Sequence, residues 1–395
     1  MLIGLVGKAN TGKSTFFKAL TLAEVAIAPY PFTTLEKNEG VAFVETDCPE
    51  TEFKKKCKPK HGYCVNGKRF IPVKIIDVAG LVPGAHKGKG RGNQFLDNLR
   101  EADVLIHILD LSGRTDAEGK LTENYDPSND IQFLQEEIDL WLHLIIASDW
   151  QIFAKKVQAG ETKVSEEIAR KLSGLKISEE MVRQAMKKLG LKERLSEWTQ
   201  EQLMEFVKIL RELSKPIIIA ANKADTSEAE KNFEKLKKEF PDTVIIKCSA
   251  ECELALREAA RDKFIEYIPG SSEFKILDEA KLSDKQKKAL SFISAYLKKN
   301  ESTGVEQCLN EAVFNFLNYI TVYPVENEAH LSDTYGNVLP DAFLMPSGST
   351  ALDMAYAVHT DIGKNFIAAI DARTRKRLAK DYILKDRDII RIITK

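Results

Sequence analysis

Cysteine is scarce in this chain, six among 395 residues. So few thiols exclude a disulfide-stapled secreted scaffold and read as reduced thiols of a cytoplasmic protein. Long apolar runs are missing as well. No stretch reaches the roughly 18–20 residues that a membrane-spanning helix needs, so no membrane partner is expected. The opening Met1–Gly7 is apolar but breaks at Gly7 and Lys8. It has no charged leader, so it reads as a first strand and not as a signal peptide. An excess of one charge is lacking too. Lys plus Arg total 58 and Asp plus Glu 59, a net charge of −1. That balance excludes a uniformly basic nucleic-acid coat and a polyacidic disordered tail; any basic surface must be local. Internal repeats and low-complexity tracts are also absent.

What is present is a globular composition, 44% hydrophobic and 30% charged, in a chain long enough for two or three domains. Leu2–Val6, Val73–Val78, Val104–Leu111, Pro216–Ala221 and Thr243–Cys248 are short runs, apolar almost throughout. Such runs predict strands buried on both faces, hence a mostly parallel sheet covered by helices. Between the two groups of strands, residues 128–213 change character. Ile131, Leu134, Ile138, Trp141, Leu142 and Ile145 recur at helical spacing. So do Leu203, Phe206, Leu210 and Leu213, behind a capping-box pattern at Thr199 and Gln202. The expected organisation is an α/β domain in two parts, 1–127 and 214–270, with an all-helical insertion at 128–213. A helical connector at 271–318 and a small α+β domain at 319–395 follow. Residues 45–70 form a Cys- and Lys-rich insert in the first part.

Gly7-Lys8-Ala9-Asn10-Thr11-Gly12-Lys13-Ser14 fits G-x-x-x-x-G-K-[ST], between an expected strand and a helix that runs on from Thr15. Gly7 and Gly12 permit a backbone path that turns several N–H groups toward one anion, and the helix N-terminus adds positive potential. Lys13 reaches the β- and γ-phosphates, and the Ser14 hydroxyl suits Mg²⁺. Asp77-Val78-Ala79-Gly80 ends the next strand. The Asp77 carboxylate there can hold Mg²⁺ through water, and the Gly80 N–H can bond a γ-phosphate.

Asn222-Lys223-Ala224-Asp225 follows the run to Ala221. The Asp225 carboxylate can accept from the N1–H and exocyclic amine of guanine. Adenine lacks that donor pair and leaves the carboxylate unpaired, a heavy penalty. Asn222 can tie this loop to the phosphate loop, while the Lys223 stem covers the base. Cys248-Ser249-Ala250 ends the following strand, and the backbone N–H groups of Ser249 and Ala250 suit the guanine O6.

The ordered set GKANTGKS, DVAGLVPG, NKAD and CSA resembles the G domain of translation-factor-class GTPases. Tyr30-Pro31-Phe32-Thr33-Thr34, the stretch Gly80–Asp110 and the tail motifs Pro340–Leu344, Gly348–Thr350 and Asp386–Ile390 narrow the resemblance to the Obg-related YchF family. The fold so implied is a P-loop GTPase domain with a mostly parallel sheet, an inserted all-helical domain and a C-terminal β-grasp-like (TGS) domain. The implied function is a monomeric cytoplasmic switch that hydrolyses GTP to GDP and phosphate and acts on the ribosome or on translation-related RNA. The alternatives are an ATPase of the same fold, since some YchF relatives resemble ATPases, and a nucleotide-sensing RNA- or ribosome-binding factor with negligible hydrolysis.

By the same resemblance Thr34, with Thr33 as its neighbouring alternative, closes onto Mg²⁺ and the γ-phosphate. Leu81 stands where Ras-type GTPases orient water with Gln, and a leucine cannot do so. Slow intrinsic hydrolysis is therefore expected, with His86 the nearest titratable candidate to position water. Asn10 offers a K⁺ ion a place against the phosphates, where it would supply the charge of an arginine finger. In the insert, Cys48, Cys57, His61 and Cys64 offer four zinc-type ligands at C-x₈-C-x₃-H-x₂-C spacing, for structural Zn²⁺ or else for plain reduced thiols. Lys54, Lys55, Lys56, Lys58, Lys60, Lys68 and Arg69 surround them, interleaved with Phe53 and Tyr63: an RNA-backbone contact or a solvated charge run. Arg373, Arg375, Lys376, Arg377 and Lys380 cluster in the tail, though residues 319–395 balance at 10 basic and 10 acidic side chains.

Overall fold

Strand β1 (Leu2–Val6) is apolar and buried at every position. The same holds along nearly all of β5 (Val104–Asp110) and β6 (Ile217–Asn222). Burial on both faces calls for cover on both sides, and the chain supplies helices on each. The computed structural model describes residues 1–22, 38–78, 98–160 and 162–395.

The larger sheet runs β2-β4-β1-β5-β6-β7, with β3 on the outer part of β4. Here β2 is Glu39–Asp47, β3 Tyr63–Val65, β4 Lys68–Asp77 and β7 Ile245–Lys247. The central pairs β1 with β4, β1 with β5, β5 with β6 and β6 with β7 are all parallel. β2 and β3 pair with β4 antiparallel. β4 starts at Lys68, ahead of the expected Val73, and β2 is an addition to the expected strands. Its Glu39, Glu45 and Asp47 dilute the apolar signal, although Val41–Val44 are buried. The carboxyl ends of β1, β4, β5 and β6 share one edge, where ligands bind in open α/β sheets.

Helix α1 (Lys13–Thr21) buries Phe16, Ala19 and Leu20. Between β5 and β6 the described helices and strands are all helices: α2 (Ser128–Ala147), α3 (Trp150–Ala159), α4 (Val164–Lys171), α5 (Glu179–Leu189) and α6 (Gln200–Ser214), with two short 3₁₀ turns. The Thr199–Gln202 capping box opens α6. α2 and α6 lie against one sheet face, so Leu2, Val6 and Leu105 share one apolar cluster with Leu134, Ile138, Trp141 and Phe206. Arg211 on α6 bonds Asp139 on α2 at 2.8 Å. Trp150 and Trp198, ring centroids 5.5 Å apart, extend that cluster outward.

Helix α7 (Ala229–Glu239) precedes β7, and α8 (Ala250–Arg261) follows it. A two-stranded sheet, β8 (Ile265–Tyr267) with β9 (Phe274–Ile276), then leads to α9 (Asp284–Asn300) and α10 (Val305–Asn310). One turn of π-helix at Glu311–Phe316 continues α10. The last sheet runs β11-β10-β14-β12-β13. Its strands are β10 (Tyr319–Val325), β11 (Phe343–Pro346), β12 (Phe366–Asp371), β13 (Arg377–Leu378) and β14 (Asp388–Thr394). β10 and β14 pair parallel and the rest antiparallel, the mixed order of a β-grasp. Helix α11 (Ala351–Val358) is entered at Thr350 through a capping box with Asp353. Tyr323, Val325 and Ile389 of this sheet join Ile3, Leu5 and Phe16 in a second apolar cluster, through Cys308, Ala312 and Val313.

Candidate functional site

The chain leaves β1 at Val6 and turns through Gly7–Gly12 into α1. Gly12 caps the helix in the left-handed region, φ 92°. A Cβ there would lie 2.3 Å from the Asn222 amide nitrogen, so both backbone strain and contact demand glycine. Lys13, the first helical residue, forms an ion pair with Asp77, the last residue of β4. Strand pairing fixes this meeting, because Leu5 and Asp77 are register partners. Ser14 is exposed and Thr15 partly so at the same helix end.

The Asn222 side chain, buried at the end of β6, joins three segments. Its amide nitrogen donates to the Thr11 carbonyl at 2.8 Å, and its oxygen accepts from the Ala250 N–H at 2.9 Å. Lys223, at φ 61°, turns back over the first loop. Its ammonium donates to the Asn10 carbonyl at 2.7 Å and to Asp110 at 2.9 Å. Ser249 donates to Asp225 at 2.8 Å while capping α8. The structure thus brings Gly7–Thr15, Asp77, Asn222–Asp225 and Ser249–Ala250 to one edge. Thr34, Gly80 and His86, with Leu81, lie outside the described residues.

Two carboxylates at this edge, Asp130 and Asp110, escape sequence reasoning. Lys8 points away from the cradle: its ammonium meets Asp130 of α2 at 2.7 Å, donates to the Thr115 carbonyl at 2.8 Å and lies 3.9 Å from the centre of the Tyr125 ring. The Lys8 side chain is therefore committed to Asp130 and Thr115. Burial raises the Asp130 carboxyl above its ordinary value, with Lys8 opposing the rise. Asp110, at the end of β5, is buried among Ser112, Thr115 and Lys223. Burial alone would raise its pKa; the Ser112 and Lys223 bonds outweigh it and hold the carboxyl below its usual range. A carboxylate closing an apolar strand is the available signal. Asn10 donates its side-chain amide to the Gly119 carbonyl at 2.9 Å, so a cation at Asn10 would have to use its oxygen.

The expected zinc ligands are not all brought together. The ligand atoms of Cys48, Cys57, Cys64 and Glu50 lie within 4.8 Å of one another. His61 is not among them; it faces Asp341 of the C-terminal part at 3.8 Å. His61 lies in the turn before β3, and Glu50 stands with the three sulfurs in the place expected of the histidine. Hydrogen bonds among the sulfurs, first from Cys57 and then Cys64, hold the Cys48 thiol far down, at about 4. The basic run beside it divides: Lys54, Lys56 and Lys58 are exposed, while others are engaged within the fold. Arg69 is buried, Lys60 pairs with Asp333 at 2.8 Å, Lys68 with Glu45 at 3.0 Å, and Lys55 donates to the Ala329 carbonyl. Tyr63 stacks on Phe70. In the tail cluster Arg373 bonds Glu52 at 2.9 Å.

Three family models match the chain. The 50S ribosome-binding GTPase model covers residues 2–148, the G4-motif domain of YGR210-like Obg-like GTPases 220–327 and the TGS domain 335–394. A protein of Methanocaldococcus jannaschii described as GTP-binding is 49% identical over 100% of this chain and 99% of its own. One of Schizosaccharomyces pombe, likewise described, is 36% identical over 89% and 88%. The ribosome-binding ATPase YchF of Buchnera aphidicola is 28% identical over 99% and 98%. A crystal structure of a GTP-binding protein from Pyrococcus horikoshii superposes with a TM-score of 0.80 at 40% identity, covering 100% of both chains. The chain therefore belongs to the Obg-related YchF family, P-loop GTP-binding proteins with a C-terminal TGS domain.

Proposed function

We propose that the protein prefers GTP to ATP, hydrolyses it slowly to GDP and phosphate, and acts as a monomeric switch on the ribosome or on ribosome-bound RNA. The observation that carries the nucleotide reading is the Asn222 side chain. It links the Gly12–Lys13 turn to the loop bearing Asp225, so one triphosphate can engage both. The Asp225 carboxylate, steadied by Ser249, suits the two donors on the guanine edge; adenine would leave it unpaired. Lys13, the backbone of Gly7–Thr15 and the N-terminus of α1 then face the phosphates.

Ser14 and Asp77 offer hard oxygen donors beside Lys13, a set that fits Mg²⁺. In this reading they hold the ion together with Thr34. The ion supplies charge neutralisation on the phosphate oxygens. Gly80 and His86 keep their proposed parts, a bond to the γ-phosphate and the positioning of water.

The ribosome enters through the relatives. Two YchF proteins, from Buchnera aphidicola and Bacillus subtilis, are named ribosome-binding ATPases. The same names favour a second reading, ATP as the nucleotide. Equilibrium titrations with GTP and ATP decide between them: a clear preference for GTP supports the proposal, and comparable affinities overturn it. Cosedimentation with ribosomal subunits, in GDP and in a non-hydrolysable GTP analogue, tests the client. Equal absence from the pellet in both would remove the ribosome from the account.

A further inference from the structure

We propose that Cys48, Cys57, Cys64 and Glu50 form a closed zinc site that fixes the loop joining the nucleotide-binding part to the C-terminal sheet. Three thiols and one carboxylate converge there, with ligand atoms no more than 4.8 Å apart. A tetrahedral site with bonds of about 2.3 Å to sulfur spaces its ligand atoms about 3.8 Å apart, so a small contraction around one ion completes it. Sulfur-rich donors select zinc over the hard cations, and four protein ligands leave no open position for chemistry. The site is structural.

The ligands are already oriented by their neighbours. The Cys57 N–H donates to one Glu50 oxygen at 2.7 Å. The other Glu50 oxygen faces the Cys64 sulfur at 3.3 Å. Cys48 follows the last residue of β2 and Cys64 lies in β3, so two strands of one sheet fix two of the sulfurs.

Arg69 gives an independent reason to expect negative charge at this place. Its side chain is 0% exposed. It bonds the Leu339 carbonyl at 3.0 Å and the Pro340 carbonyl at 3.2 Å, and its third contact is the Cys57 sulfur at 3.9 Å. Among the described residues no carboxylate pairs with it, and its Nε has no partner. A guanidinium keeps its charge in proteins, and an uncompensated buried charge is costly. Thiolates bound to a metal are the countercharge within reach. A divalent ion offsets two of the four ligand charges, and Arg69 a third.

The position of the site gives it consequence. The Lys58 N–H donates to the Val338 carbonyl and the Lys60 N–H to the Pro340 carbonyl, each at 2.8 Å. Lys60–Asp333 and Arg373–Glu52 flank these bonds. The loop held by the ion is therefore the one on which the C-terminal sheet docks. The inference does not depend on which nucleotide the protein takes.

The test uses the full-length chain, purified reduced and without chelator. Elemental analysis should find about one zinc per chain. Replacement by Co²⁺ should give thiolate charge-transfer absorption and the intense visible bands of a tetrahedral ion. Cys57→Ser and Cys64→Ser should lose both, and His61→Ala should keep both. Should a cysteine variant fail to fold, Glu50→Gln, at a partly buried position, carries the test: it keeps the charge-transfer band and shifts the visible bands. Stripping the zinc should speed hydrogen exchange at the Lys58 and Lys60 amides by about tenfold or more. Protein without zinc that takes up no Co²⁺, a disulfide among the three cysteines in place of metal, or loss of metal in His61→Ala overturns the proposal.

Discussion

The Lys8 ammonium lies 2.7 Å from the Asp130 carboxylate, and both side chains are buried. One belongs to the glycine-rich loop and the other to the first turn of α2, 122 residues along the chain by subtraction of their numbers. The loop is thereby anchored to the helical segment through a charge pair with little access to water.

That pair predicts an asymmetric response to mutation. Asp130→Asn strands a buried ammonium and should cost about 3–5 kcal/mol. Lys8→Met combined with Asp130→Leu removes both charges and should cost much less. Urea unfolding of the single and double variants measures the difference. Additive losses would show that the two residues do not act together.

Asp225→Asn should lower GTP affinity by about 100-fold or more without improving ATP binding, because an amide cannot accept from both guanine donors. Xanthosine triphosphate, which carries an acceptor where guanine carries its amine, should gain affinity. Competition titrations with the three nucleotides read this directly.

Asn222→Ala removes two hydrogen bonds at once and leaves the Thr11 carbonyl and the Ala250 N–H without their partner. The expected loss of stability is about 1–3 kcal/mol. Affinity for GDP should fall along with that for GTP, since both loops lose their tie.

A buried triad under the α8–α10 contact predicts a pH dependence. Arg257 bonds Glu253 at 2.5 Å and Glu306 at 2.9 Å, so one guanidinium serves two carboxylates. Burial, with the Glu253 charge added, raises Glu306 from 4.5 to about 8, against the pull of Arg257. A carboxyl whose folded value lies above its unfolded value holds its proton more tightly in the native state. Its contribution is complete below 4.5 and is lost as pH rises through about 8. Urea midpoints of the wild type should therefore drop between about pH 5 and pH 9 more steeply than those of Glu306→Gln, which cannot ionise. Parallel slopes would refute the assignment.

K⁺ should stimulate hydrolysis relative to Na⁺, with Asn10 lending its side-chain oxygen. Its amide nitrogen is committed to the Gly119 carbonyl. Equal rates in the two salts would dispose of the ion.

The parts legible in the sequence share a physical cause. β1, β5 and β6 are buried on both faces, so their residues are apolar almost throughout, with Asp110 and Asn222 as polar strand ends. The ends of β4 and β6 and the segments that follow β1 and β6 carry side chains suited to phosphate and base chemistry, which is why Lys13, Asp77, Asn222 and Asp225 stand out even without their spatial meeting. The hidden parts depend on partners far along the chain. Nothing near Lys8 announces Asp130, and nothing near Lys58 and Lys60 announces that their backbone N–H groups bond Val338 and Pro340. His61 draws the eye before Glu50 because histidine is the commoner metal ligand, although Glu50 stands only two positions from Cys48. β2 is masked by its acidic ends, which hide a buried middle.

Because α2 and α6 share their apolar cluster with Leu2, Val6 and Leu105, the helical segment is no pendant lobe on a hinge. Lifting it away would strip one whole side of the central strands bare. Signals between nucleotide and helices must therefore travel as small slides of packed surfaces past each other, and a truncation at 128 and 214 should yield an insoluble remnant in place of a minimal enzyme.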